Sequence, residues 1–145
     1  MLALVMEESA VKDFMGKLLR EGIFNSFDVR NIEIATTIHI SIDGVALDKE
    51  KELSSWDDLR PLVYTIIKAS TKPRFIKIAF FFQEPQSIHK NAKAVSLIMN
   101  YENDNITFTT ATSQVEFVLD KSLDMAWDDW VRGFFLQKGI TVSDR

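Results

Sequence analysis

The chain contains no cysteine, which rules out disulfides, thiolate zinc sites, cysteine-held iron–sulfur clusters and a cysteine nucleophile. Histidine is nearly absent too. His39 and His89 are the two present, and they do not stand at the three- or four-residue spacing by which a helix presents paired metal ligands. No glycine-rich phosphate loop of the Rossmann or Walker type occurs, nor a G-x-S-x-G elbow. No cofactor is therefore implied. Five glycines and three prolines leave few positions with special backbone demands, so most of the chain is expected in regular elements. Long apolar runs are missing as well. The first six residues are apolar but lack a positive flank and end at Glu7 and Glu8, too short for a signal-peptide core or a membrane span. A cytoplasmic location with no membrane contact is the expectation.

The composition that remains is globular. Of 145 residues, 46% are hydrophobic and 26% charged, enough for one domain (residues 1–145) with a sizeable core, to which eleven phenylalanines contribute. The net charge of −4 argues against a protein whose main task is to grip nucleic-acid phosphates.

Hydrophobic spacing sets the element order. Residues 2–6 read as a short strand. Ser9 has the character of an N-cap, and Val11, Phe14, Leu18 and Leu19 recur at helical spacing up to Gly22. Residues 27–43 then alternate with period two, with Ile32, Ile34, Ile38, Ile40 and Ile42 in phase. That is long for one strand and predicts a bend or hairpin near residues 35–37. Asp43-Gly44 signals a tight turn, with residues 45–47 as a return strand. Ser55 with Asp58 suits a helix start, although Pro61 requires that the helix either begin anew or kink there. Residues 74–83 read as a central strand and 86–93 as a short helix. Residues 94–102 and 105–111 make a hairpin across Asn103-Asp104, with 114–119 as a further strand or an extension of the second. Residues 122–138 are the clearest helix: Leu123, Trp127, Trp130, Val131, Phe134 and Phe135 share one face, and Gly139 stands at its end. The fold class expected is α+β, with a mainly antiparallel sheet and about three principal helices.

Two segments echo each other. Leu47-Asp48-Lys49 leads to Trp56-Asp57-Asp58, and Leu119-Asp120-Lys121 leads to Trp127-Asp128-Asp129. An internal duplication of βαββα units, residues 1–71 and 72–145, would explain this; chance recurrence of short strings before two ordinary helices weighs more.

The chain resembles, over nearly its whole length, a family of short proteins of unknown function from anaerobic Gram-positive bacteria. The resemblance rests on Met1-Leu2-Ala3-Leu4, Phe14-Met15, Leu18-Leu19, Ile42-Asp43-Gly44, residues 119–123, Trp127-Asp128, Phe134-Phe135 and Gly139-Ile140. These are mostly structural positions, and the resemblance implies no catalytic residue.

The candidate sites are few. His39, Ser41 and Asp43 share a strand face, but same-face neighbours stand roughly 6.5–7 Å apart, too far for a nucleophile relay. A polar strand face is the stronger reading, with His39 and Asp43 kept as a candidate pocket wall. Asp57-Asp58 and Asp128-Asp129 occupy early helical turns, where negative charge suits the helix dipole, and Asp128 stands four residues before Arg132. Lys68, Lys72, Arg74 and Lys77 stand out against an acidic background; Lys72, Arg74 and Lys77 form a candidate anion-binding group, although alternation sends Arg74 and Lys77 to opposite faces. Without catalytic motifs, the favoured expectation is a non-enzymatic interaction or assembly module, working with an unidentified protein partner or by self-association. The alternative is a binding protein or enzyme for a small anion near His39 and Lys72/Arg74.

Overall fold

A computed structural model describes residues 1–48, 50–69 and 72–145. Among these, eight strands form one antiparallel sheet: β1 (Ala3–Met6), β2 (Phe27–Ala35), β3 (His39–Asp43), β4 (Ser54–Ser55), β5 (Phe75–Phe82), β6 (Ala92–Glu102), β7 (Asn105–Gln114) and β8 (Ser143–Asp144). The spatial order is β3-β2-β5-β6-β7-β1-β8, and β4 pairs with β2 beyond the end of β3. The helices are α1 (Glu8–Gly16), α2 (Trp56–Ala69), the single turn α3 (Pro85–Ile88) and α4 (Ser122–Gln137). The α+β class and the antiparallel sheet are as the alternation predicts.

One sheet face carries the core. Phe27, Val29, Ile32 and Ile34 of β2, Ile76, Ile78 and Phe80 of β5, and Val95, Leu97 and Met99 of β6 are all buried on it. The helices supply the other half: Phe14 of α1 meets Phe108 edge-on, Trp56 of α2 meets Phe80, and Trp127 of α4 meets Phe27 and Phe82. All six of the α4 residues assigned to one face pack here, Trp130 being the one partly exposed. The opposite sheet face is left to Glu33, Lys77, Asn100 and Thr107. In β2 the inward phase changes from odd to even numbers because the register shifts at Arg30, a bulge that adds one outward residue.

The hairpin expected near residues 35–37 is present: β2 and β3 pair from Asn31↔Asp43 to Ala35↔His39, and the Thr36 amide donates to Ile38 O. Asn103 and Asp104, both at positive φ, make the turn between β6 and β7. After Asp43-Gly44 the return is a single bridge, Val45 with Leu53. Four expectations need correction. Ser9 is not the N-cap; α1 starts at Glu8, directly after β1, with no side-chain cap. The helix after β5 is confined to Pro85–Ile88. Residues 115–119 are not a strand, because two carboxamides capture them: Asn91 pairs with the backbone of Glu116 and Gln114 with that of Val118. Arg132 does not pair with Asp128, which instead accepts from the Thr110 hydroxyl at 2.7 Å.

Arg132 places both guanidinium Nη atoms on Asp144, at 2.8 and 3.0 Å, and so ties β8 down beside β1. These bonds hold the Asp144 carboxyl below its ordinary range. A lowered carboxyl stabilises the docked strand above the ordinary aspartate range, and that contribution is lost as pH falls through the lowered value. Arg132→Gln should lower β8 amide protection at neutral pH, as followed by hydrogen exchange, and the difference from wild type should close as pH falls through the lowered value. Equal protection in the two proteins at neutral pH would contradict the pairing.

With the two-residue strands β4 and β8 set aside, the order strand–helix–strand–strand–helix occurs on both sides of Lys72. Pairing is not equivalent in the two halves: β1 lies between β7 and β8, whereas β5 lies between β2 and β6. Lys49 of the echo and the 70–71 boundary lie outside the described residues. Trp56 opens α2, and Trp127 stands in the second turn of α4.

Candidate functional site

The last turn of the first helix is wound wide. Residues Lys17–Glu21 continue α1 as a π-helical turn that ends at Gly22, whose φ is +65°. The turn brings the consecutive Leu18 and Leu19 into the core and leaves their carbonyls near the helix end, where no helical donor follows. Side chains of α2 supply the donors: Trp56 Nε1 to Leu18 O at 3.3 Å and Arg60 Nη1 to Leu19 O at 3.2 Å. Trp56 and Arg60 stand four apart, so one face of α2 is pinned to the π turn. Pro61 lies within this helix, which runs on without interruption.

Beyond that contact a groove opens between α1 and α2. Val11, Met15 and Leu19 recur at every fourth residue on one wall; Tyr64 and Ile67 form the other, with Ile76 of β5 beneath. Three concavities of about 380, 330 and 440 Å³ run from Pro61 to Lys72, and Leu19 lines all three. The rim is cationic. Lys12, Arg20 and Lys68 are exposed, and among the described residues no acid forms an ion pair with any of them. The Arg20 guanidinium and the Lys68 ammonium stand 6.0 and 5.8 Å from the centre of the Tyr64 ring.

The Lys72 end differs. Lys72 forms an ion pair with Asp104, whose carboxylate also accepts from Tyr101 Oη at 3.1 Å. Hydrogen bonds from Lys72 and then Tyr101 hold the Asp104 carboxyl below its ordinary range, and the same bond raises the Lys72 ammonium. Burial, followed by the bond to Asp104, raises the Tyr101 phenol. Glu8 lines this end too, so its charge is balanced.

The sequence-derived candidates do not come together at one site. Lys72 lines the groove. Arg74 is exposed just before β5, its amide donating to Ala35 O, and Lys77 lies on the open sheet face in register with Glu33 and Asn100. His39 also faces that side, with Nε2 3.7 Å from Glu33 Oε1, whereas Asp43 accepts the Val45 amide in the turn to Gly44. Neither His39 nor Asp43 lines the α1–α2 groove. Of the paired acids, Asp57 accepts from Asn25 and Arg60, and the amide of Asp58 donates to Ser55 Oγ. Lys12, Arg20 and Tyr64 were not legible as site residues, because they come together through packing of separate helices.

A second polar cluster resembles a nucleophile relay and is not one. His89 Nε2 lies 2.9 Å from Ser122 Oγ, and Ser122 Oγ lies 2.6 Å from Asp120 Oδ1. The Asn91 amide donates to His89 Nδ1, so in the neutral ring Nε2 carries the proton and donates to the serine. The hydroxyl proton then goes to Asp120, which also accepts the Ser122 amide at 2.8 Å. The cluster holds the start of α4; its histidine donates to Ser122 and so is not placed to take the hydroxyl proton, as a nucleophile relay requires. Among the described residues no three histidine or acidic groups stand close enough to hold a metal ion, and no helix is long and apolar enough to cross a membrane.

No curated protein and no solved structure matches the chain. A family model described as "Family of unknown function (DUF5721)" matches residues 17–143, and the chain belongs to that family.

Proposed function

We propose that the protein is a non-enzymatic interaction module whose working surface is the α1–α2 groove. One observation supports this reading above others: the inner sheet face is filled elsewhere by aromatic side chains, while Met15, Tyr64 and Ile67 remain partly open along a continuous concavity. Grooves of this kind, apolar at the floor and polar at the rim, suit a ligand that buries apolar groups against them. A small free anion at the Lys72 end is the weaker reading, since Asp104 already neutralises the lysine and Glu8 adds a negative charge.

The test is a selection from a randomised peptide library on the immobilised protein, with Met15→Glu as counter-screen. Met15 is partly exposed, so a carboxylate there should leave the circular dichroism spectrum intact while placing charge on the floor. Peptides retained by wild type and lost by Met15→Glu, with affinity reduced tenfold or more, are expected. An empty selection, or binders indifferent to Met15→Glu, would overturn the reading.

A further inference from the structure

Resting on that reading, we propose that the groove's partner is an acidic amphipathic helix about three turns long, docked between α1 and α2. Length and charge together lead there. From Arg60 to Lys68 the groove follows two turns of α2, and it continues past Ile67 to the Lys72 end. At 1.5 Å per residue this is roughly 15–20 Å, the length of a helix of about 12 residues. The floor is built from residues four or three apart on two helices, a ridge pattern that accepts the i, i+3, i+4, i+7 stripe of a third helix.

Charge selects the partner's sign. Lys12 stands on the α1 wall, Lys68 on the α2 wall, and Arg20 lines the groove nearer Pro61; none is ion-paired among the described residues, in a chain of net charge −4. An incoming helix with acidic residues on both edges of its apolar stripe meets a cation on each side. Glu8 and the Asp104–Lys72 pair give the opposite end no net positive charge, so the partner's acids belong to its central turns and its Pro61-side turn. Nucleic acid fits poorly, because the floor offers apolar surface where a phosphate backbone needs donors. A flat anionic bilayer cannot reach the floor of a concave groove.

The probe is a fluorescein-labelled synthetic helix of about 12 residues, with leucine at the stripe positions and glutamate at the flanks. Its counterpart carries lysine at every glutamate position. Anisotropy titrations with the full chain should show the acidic peptide binding at least tenfold more tightly, with affinity falling as salt rises. Lys12→Glu/Lys68→Glu changes two exposed side chains and should weaken the acidic peptide tenfold or more while strengthening the lysine peptide. Equal or tighter binding of the lysine peptide to wild type overturns the acidic partner but not the groove, whose standing is read separately from the Met15→Glu selection. Failure of both peptides, or indifference of the acidic one to the double charge reversal, overturns the inference. So does capture of the protein by phosphatidylglycerol vesicles together with failure of the acidic peptide.

Discussion

Trp127→Ala is expected to lower the unfolding free energy by about 3–5 kcal/mol, the range for removing a large aromatic side chain from a packed core. Trp127 is fully buried on α4, where its ring stacks on Trp130 at 5.2 Å and approaches Phe82 at 5.8 Å. Its neighbours belong to two elements, the sheet and α4 itself, so collapse into the vacated space would require strands to move. Its indole Nε1 also donates to Ser96 O at 2.8 Å, a buried bond that ties α4 to β6. Trp127→Phe separates the two contributions: most of the apolar area remains and the bond is lost, a cost of about 1–2 kcal/mol. Urea melts followed by circular dichroism are the readout, since the substitution removes a fluorophore. A loss below about 1 kcal/mol for Trp127→Ala, against the expected range, accompanied by a change in oligomeric state, would show that this face of α4 covers a partner and not the sheet.

That α4 would pack this way was legible, because six large residues recur at one helical spacing and Gly139, at φ +69°, ends the helix. The β6–β7 hairpin was legible for a similarly local reason: Asn103 and Asp104 are residue types that accept positive φ. Two of the readings that failed turned on side-chain partners that apolar periodicity does not register. Residues 115–119 look like a strand, but the Asn91 and Gln114 carboxamides take the bonds a neighbouring strand would have made. Arg132 stands one turn from Asp128, yet Asp144 arrives with β8 while Thr110 takes Asp128. The groove has the same character. Lys72 could be noticed because it belongs to a local cluster of cations in an acidic chain, but Lys12, Arg20 and Tyr64 become neighbours only after Trp56 and Arg60 dock α2 on the π turn.

Gly44→Ala should be the most damaging of the smallest substitutions in this chain, costing about 3 kcal/mol or more, at or beyond the upper end of ordinary overpacking. The reason is contact and not conformation, since Gly44 does not sit at positive φ. A Cβ built there falls 1.8 Å from Val29 O and 2.7 Å from Val29 C. Neither atom can yield as a flexible side chain does. Val29 is paired with Phe80 of β5 on one side and Ser54 of β4 on the other, next to the bulge at Arg30. Gly44 is itself held there, its amide donating to Arg30 O at 2.9 Å and its carbonyl accepting from Ser54 at 2.7 Å. Relief therefore requires β4 or the end of β3 to leave β2, which should appear as lost hydrogen-exchange protection at Ser54 and Gly44 before the rest of the sheet opens. Gly133→Ala is the control. Gly133 is exposed in the middle of α4, a Cβ there meets nothing within 4 Å, and the change should stabilise by about 0.5–1 kcal/mol through helix propensity. The same added methyl thus acts with opposite signs at two positions in one urea series. Equal effects at the two would mean that Gly44 does not lie against the β2 backbone, and that the edge of the sheet beyond β3 is arranged differently.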